Sequence, residues 1–302
     1  MPDLEDLRLF HALGGTGSLA ATARILGVTP PALTSRLKRL EADLGVSLAV
    51  RGSRGVRLTE EGERLRDEAS AVLLRIEGLA EVVAGDKGPL AGSLRVSAPF
   101  GFGREHLATI VRDFHRANGG VTINVRLSDN PLREATTNDV VIHIGGLRDS
   151  TWVQHLLAPN RRILCASPDL ARRLAGTLTH PSQLAQLPCL PITENDEDLV
   201  RWSFFKTGQS KPVSVRILGP LSSNDGAMIT SWALNGLGVM VRSEWQVGPL
   251  IASGKLVELL PQWRMHDAPV LALTKTRLGM PRRVRAFLDA CRSGLSPAPW
   301  KL

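Results

Sequence analysis

Between Ser18 and Glu41 the apolar positions fall into two short helical sets separated by a glycine. Leu19, Ala20, Ala23, Ile25 and Leu26 give the first helix one apolar face, with Ser18 placed to cap it. Gly27 ends it, because a sharp turn between helices asks for a left-handed residue, and Val28 can pack into the angle. Thr29 caps the second helix, and Pro30 opens it where a missing N–H costs nothing. There Ala32, Leu33, Leu37, Leu40 and Leu44 turn inward, which leaves Thr34, Ser35, Arg36, Lys38 and Arg39 outward. A small, polar and basic outer face is what entering a DNA major groove requires. A plain helical hairpin has the same periodicity, so the flanks decide between the two readings. After Gly45 a short apolar run, a Gly-rich turn and a return from Val56 to Leu58 predict a hairpin wing carrying Arg51, Arg54 and Arg57. From Pro30 to Leu58 six Lys or Arg face two acids, Glu41 and Asp43, a local excess suited to phosphate.

Leu4 to Leu13 reads as a helix covering the pair through Leu4, Leu7 and Phe10, with His11 as a packing or surface histidine. From Glu60 a longer helix places Leu65, Ala69, Val72, Ile76, Leu79 and Val83 at alternating spacings of four and three. That seam runs roughly 27 Å at about 1.5 Å per residue, with nothing expected to cover it inside so small a module. A second copy of the same helix is the expected partner, making a homodimer.

The breaker-rich stretch from Gly85 to Gly92 changes the pattern. Strand-like runs at Ser93 to Ala98, Val121 to Leu127 and Asp139 to Gly145 then alternate with a helical run at Arg104 to Ala117. Further strands are expected at Arg161 to Ser167, Cys189 to Thr193, Val213 to Leu218, Val239 to Val241 and Pro269 to Thr274. Helices are expected at Pro168 to Leu174, Gly226 to Asn235, Glu244 to Ala252 and Pro281 to Cys291. Such alternation predicts a mainly parallel α/β sheet.

Composition sharpens this. With 302 residues and 43% hydrophobic content the chain has room for two or three globular domains, and its net charge of +8 points to an anionic partner. Cys165, Cys189 and Cys291 lack metal or redox spacing and read as buried free thiols. The opening MPDLEDLRLF has no apolar leader and no run is long enough to span a bilayer, so a cytoplasmic protein without membrane contact is expected. No Walker, GxSxG or HExxH pattern is present, and His106 stands where a dinucleotide fingerprint needs its third Gly. No catalytic residue, metal ligand or cofactor is therefore expected. The alternatives, an enzyme with an accessory DNA-binding module and a sequence-indifferent chromosome-packaging protein, lack a convergent reactive group and a use for a pocket, respectively.

The first sixty residues resemble the winged helix-turn-helix of LysR-type transcriptional regulators. The carrying residues are Leu7, Phe10, Gly17-Ser18-Leu19, Ala23, Leu26, Val28-Thr29, Pro31-Ala32-Leu33, Leu37, Leu40-Glu41, Leu44-Gly45, Leu48, Arg51 and Leu58-Thr59-Glu60 with Gly62. Ala49 stands where the family usually has an aromatic, and Pro30 where a polar residue is common. The remainder resembles the family's effector-binding domain through Leu94 to Pro99, Phe102-Gly103-Arg104, Ile142 to Gly145, Ser223-Asn224-Asp225 and Gly236 to Val239. Asn130 to Asn138 departs from the usual helix, and His143 replaces an Arg.

The resemblance implies an α+β protein: a winged helix-turn-helix at 1–59, a linker helix for dimerisation at 60–86, a hinge at 87–92 and a two-lobed α/β domain at 93–302. That domain has the fold of type II periplasmic binding proteins, with lobe I at 93–159 and 268–302 and lobe II at 160–267. It further implies double-stranded DNA, a small-molecule effector, a dimer of dimers and RNA polymerase as partners. The DNA contacts expected are Thr29, Pro30, Pro31, Thr34, Ser35 and Lys38 at the major groove, with Arg51 and Arg54 on backbone or minor groove. Ligands of open α/β sheets sit beyond the carboxyl ends of strands. Ser97, Phe100, Gly101, Phe102, Gly103, Thr193, Asn195, Asn224 and Asp225 are therefore the expected effector contacts, together with Phe204. Free N–H groups near Phe102 and Gly103 favour an acceptor and Asp225 a donor, which leaves the effector's sign open.

Overall fold

The computed structural model describes residues 2–52, 55–84, 88–133, 138–147, 152–194, 197–198, 201–206, 208, 211–275 and 280–301. Its N-terminal module is three helices and a wing: α1 (Leu4–Thr16), α2 (Leu19–Leu26), α3 (Pro30–Leu44), β1 (Ala49–Gly52) and β2 (Gly55–Leu58). Leu9, Phe10, Leu13, Leu33, Leu37, Leu40 and Leu48 form its core. Gly27 turns α2 into α3 at φ 66°, and its N–H reaches back to the Ala23 and Arg24 carbonyls. The wing is pinned at both ends. The Val56 N–H donates to the Gly17 carbonyl at 3.0 Å, and the Glu41 carboxylate accepts the Leu48 N–H at 2.8 Å and the Ala49 N–H at 3.2 Å.

Helix α4 (Glu60–Ala84) follows the wing. Its apolar seam divides where the sequence shows a single stripe. Leu65 packs into the core of the winged module and Ala69 is fully buried, so the first part is covered by the protein's own α1. Val72 and Ile76 are 39% and 40% exposed. The side chains of Leu79 and Val83 lie outside the described residues. The expectation that nothing within the chain covers the seam therefore holds only for its middle: α1 is long enough to reach α4, which a repeat along one helix cannot reveal.

The rest of the chain comprises β3 (Gly92–Pro99), α5 (Phe100–Phe102), a π turn at Gly103–Leu107, α6 (Ala108–Ala117), β4 (Val121–Ser128), β5 (Val140–Ile144) and β6 (Val153–Ala158). It continues as β7 (Arg162–Ala166), α7 (Pro168–Leu174), a 3-10 turn at Pro181–Gln186, β8 (Thr193–Glu194), β9 (Glu197–Asp198), β10 (Arg201–Lys206) and β11 (Val213–Arg216). Then come α8 (Gly226–Leu234), β12 (Met240–Ser243), α9 (Glu244–Ala252), β13 (Val257–Glu258), β14 (Trp263–Arg264), β15 (Val270–Thr274) and α10 (Arg282–Gly294).

Two sheet systems result. A five-stranded sheet ordered β4-β3-β5-β15-β6 has β3 parallel to β4 and β5, whereas β15 is antiparallel to β5 and β6. In the second half β12 and β13 flank β7, and β11 and β14 flank β10, all antiparallel, with parallel contact at the Cys189–Val239 and Ile192–Ser223 bridges. The expected mainly parallel sheet is thus confined to β4-β3-β5. Runs of β-branched residues announce strands without stating the direction of their neighbours, and strands β10 and β14 carried too few such residues to be foreseen. The two crossings between halves are stapled at Asn160: its Nδ2 donates to the Ala268 carbonyl at 2.7 Å, and its Oδ1 accepts the Trp245 N–H at 3.2 Å.

Candidate DNA interface and effector cleft

The outer surface of α3 is built from its cap and first turns. Thr29 accepts the Ala32 N–H, and Pro30 and Pro31 occupy the opening positions. Thr29, Pro30, Pro31, Ser35 and Lys38 are exposed, and Thr34 is half-buried beside them. The six expected groove residues therefore share one end and one face of the helix. Arg51 lies on β1 and pairs with Val56, its side chain falling outside the described residues, as does the whole of Arg54. Arg57 is exposed on β2.

Arg36 and Arg39 have acidic partners within the module, although Arg39 is still 54% exposed. Arg36 donates from Nε to Asp6 at 2.6 Å and from Nη2 to Asp3 at 2.6 Å, and Arg39 reaches Asp6 at 3.1 Å. Asp6 is 1% exposed, so its charge needs these partners. The Asp6 N–H and the neighbouring Arg36 hold the Asp3 carboxyl below the usual carboxylate range, and the Asp6 carboxylate raises Arg36 in turn. The pairs clamp α3 onto the start of α1 and withdraw two of the six local cations from phosphate. Asp3 and Asp6 also cap each other's backbone across the first turn of α1, and this Asp-x-x-Asp spacing was the sequence signal for them.

A second polar junction joins the module to β3. His11 Nδ1 meets Ser70 Oγ at 2.8 Å and its Nε2 meets Arg95 Nη1 at 2.6 Å. Ser70 Oγ donates to the Arg66 carbonyl, so Nδ1 carries the proton and Nε2 accepts from Arg95. Burial, aided by the Arg95 charge, pushes His11 down to about 4 and keeps it neutral in this role. Arg95 is itself seated by Asp139, which accepts its backbone N–H at 2.7 Å. His11 is thus a bridge rather than packing alone.

Between the two sheet systems, Arg104 pairs with Asp225 at 3.3 Å and Asn224 donates to Asp129 at 2.8 Å. The Asn224 bond leads the influences holding Asp129 below its ordinary value. For Asp225 burial opposes ionisation, but the Ala227 and Met228 N–H groups and Arg104 outweigh it. Asp225 is therefore both the cap of α8 and one side of a bridge across the cleft. Ser97 is fully buried at the end of β3 and donates to the Pro131 carbonyl, while Phe100 is half-buried with the Arg104 guanidinium 5.7 Å above its ring. Thr193 is exposed, its N–H donating to Ser223, and Asn195 lies outside the described residues.

Three expected effector contacts point elsewhere. Phe102 is fully buried among Trp245, Trp300 and His106. Gly103 is buried, and a Cβ there would stand 2.2 Å from Leu127 Cδ2. Phe204 is 1% exposed in the core of the second half. A π turn continues the helix through Gly103, and the Gly103 N–H, expected to be free, donates to the Phe100 carbonyl. Gly101 does face the other half: a Cβ on it would meet Trp245 Cη2 at 2.9 Å. No helix among the described residues is long and apolar enough to cross a membrane.

Residues 4–63 match the bacterial regulatory helix-turn-helix proteins of the lysR family, and residues 87–296 match the LysR substrate binding domain. The chain is 34% identical over 288 residues to the HTH-type transcriptional activator TtdR of Escherichia coli K12, covering 92% of this chain and 91% of that one. It is 33% identical over 293 residues to the HTH-type transcriptional regulator DmlR of the same strain, covering 97% and 94%. Among solved structures, ArgP from Mycobacterium tuberculosis shares the fold at a TM-score of 0.71 with 21% identity and 98% of each chain covered. CrgA from Neisseria meningitidis, a LysR-type transcriptional regulator, matches at 0.59 with 26% identity, covering 98% of this chain and 99% of that one. With both domain models matched in order and relatives aligned along nearly the whole chain, this protein belongs to the LysR family and is an effector-modulated, DNA-binding transcriptional regulator rather than an enzyme.

Proposed function

We propose that the protein docks α3 in a major groove through Thr29, Pro30, Pro31, Thr34, Ser35 and Lys38, with Arg51 and Arg54 on the flanking backbone or minor groove. A small molecule held between the two sheet systems then alters that complex. The observation carrying the reading is the division of labour on α3: Arg36 and Arg39 are tied back to Asp3 and Asp6, while the cap, Ser35 and Lys38 stay exposed at one end. The protein acts as a homodimer through the open part of the α4 seam at Val72 and Ile76, and dimers pair into a tetramer. RNA polymerase is its further partner and the cytoplasm its compartment. The domain limits are those expected above, with the hinge at 87–92 and the lobes exchanging at 159–160 and 267–268.

Footprinting against the protein's own promoter region tests the docking. Replacing a base-reading residue, as in Ser35→Ala, relaxes specificity and costs about 1–3 kcal/mol, whereas Arg54→Ala, at a flanking contact, lowers affinity for all sequences and flattens the salt slope. If both variants keep wild-type affinity and salt dependence, the docking is wrong. Ile76→Asp buries an unpaired charge in the dimer, at a cost of several kcal/mol, and sedimentation then gives a monomer. A variant still dimeric at micromolar concentration places the interface elsewhere.

A further inference from the structure

The first turn of α3, Pro30 to Leu33, has no backbone N–H left to offer. A helix start ordinarily leaves its leading N–H groups open to an acceptor. Here Pro30 and Pro31 carry none, the Ala32 N–H donates to Thr29 Oγ1 at 3.4 Å, and the Leu33 N–H donates to the Thr29 carbonyl at 3.1 Å. The Thr29 hydroxyl oxygen is in turn engaged as the cap.

What this end of the helix presents is apolar surface. Val28 is 42% exposed in the turn before α3, and Pro30, Pro31 and Ala32 are all exposed. Proline rings cannot rotate aside, so they offer that surface at little cost in conformational entropy. The outward stripe changes character immediately afterwards: Ser35 and Lys38, four and seven residues beyond Pro31, are exposed on the same side. Val28, Ala32 and Ser35 also line one depression beside the helix, so the apolar end and the polar stripe form a continuous surface. Whatever covers Ser35 and Lys38 therefore covers the prolines too.

Duplex DNA holds one group that suits such a surface. Phosphate oxygens require a donor or a cation, and this turn supplies neither. In the major groove guanine, adenine and cytosine show only hydrogen-bonding atoms, which a proline ring would strip of water and leave unpaired. Thymine adds a methyl group at C5, whose burial is favourable. The same surface thus attracts one base and penalises the others.

We infer that the first turn of α3 reads thymine through its C5-methyl group, with the rings of Pro30 and Pro31 as the contact and Val28 and Ala32 closing the apolar surface around it. The inference rests on the docking of α3 proposed above and deepens it by assigning one base, and one group on that base, to the start of the helix. Ser35 and Lys38 then read the hydrogen-bonding edges further along the groove.

The test uses the full-length protein and a duplex that it selects from randomised sequence. Each thymine of the bound site is replaced in turn by deoxyuridine, which removes the C5-methyl and nothing else. At one thymine of each half-site the affinity falls about fourfold, the effect of one buried methyl. Pro30→Ser and Pro31→Ser, at exposed positions that need no N–H partner, weaken the thymine duplex by a similar factor and bring thymine and uracil level at that place. Lys38→Ala lowers affinity yet preserves the preference for thymine over uracil there. Arg172→Gln, on exposed α7 of the other half, changes neither, and thermal melts followed by circular dichroism establish that every variant is folded.

A selected site with no thymine sensitive to uracil, or a sensitive thymine whose preference survives both proline substitutions, overturns the inference. If Ser35→Ala and Lys38→Ala still change base preference in that case, the docking of α3 stands and the methyl reading alone falls. If none of these four variants changes affinity or preference, the docking itself is wrong. Should the proline variants bind both duplexes like the wild type and instead lower transcription from the bound promoter, the apolar end meets a protein partner and the inference is overturned.

Discussion

The DNA-reading module and the effector-binding half solve the same folding problem over different sequence distances. In the module each of the three helices starts on its own capping side chain, Asp3, Ser18 or Thr29, and stops on a glycine of positive φ. Its longer connections, the clamp from Arg36 to Asp3 and Asp6 and the Val56–Gly17 hydrogen bond of the wing, also close within it. In the other half α5 and α10 follow prolines without a side-chain cap. Strand β15 enters the first sheet between β5 and β6 after the whole second half has intervened. Local signals therefore suffice to punctuate the module, whereas the sensor depends on packing between residues far apart in the chain.

The comparison is most severely tested by cutting the chain. A 1–84 fragment should keep the far-UV helical signal of its four helices, because their caps and core all lie within it. A 93–159 fragment should show no cooperative unfolding, since it lacks β15 and the buried Phe287 and Leu288 of α10. A cooperative melt from the second fragment ends the distinction drawn here.

Next in size is a core substitution. Phe102→Ala removes a fully buried ring from the cluster with Trp245 and Trp300, for about 3–5 kcal/mol in denaturant unfolding of the full chain. If the comparison is right, DNA affinity at saturating folded protein is unaffected while effector binding falls.

Asp6→Ala reverses the roles. It strips Arg36 and Arg39 of a buried partner and costs about 1–3 kcal/mol, discounted because Arg36 is itself 28% exposed. The freed cations then face solvent near α3, so the salt slope of non-specific DNA binding steepens while operator specificity drops. An unchanged salt slope would show that the clamp does not withhold charge from DNA.

The smallest effect is on pH. His11 and His143 are held down to about 4 from an ordinary value of 6.5, one at the module junction and one in the sensor. Between those values the unfolded chain binds more protons than the folded one, so stability rises with pH through that window and is lost as pH falls from about 6.5 toward 4. Glu105, raised by burial, works in the opposite direction and tempers the slope. Each histidine contributes up to about 3 kcal/mol across the window. Chemical denaturation at intervals from pH 7 to pH 4 checks this, and His143→Gln should flatten the sensor's share without touching that of His11.

What the sequence determined was whatever its neighbours along the chain could encode. Helices α2 and α3, their caps, the wing and the end at which Thr29, Ser35 and Lys38 are offered follow from spacings of three and four and from Gly27. The alternation after Gly92 likewise located most strands, and the family resemblance supplied the two-lobed plan. Tertiary structure decided which charges are spent and which are left. Arg36 and Arg39 look outward on a helical wheel, and only the approach of α1 ties their charges to Asp3 and Asp6. The seam of α4 reads as one stripe, and only the reach of α1 divides it into a covered part and an open one. Phe102 and Gly103 follow a strand end like ligand contacts, and only the continuing helix turns them into core. Periodicity records which side of an element is apolar. It cannot record which other element arrives there, because that depends on contacts closed over long loops of chain.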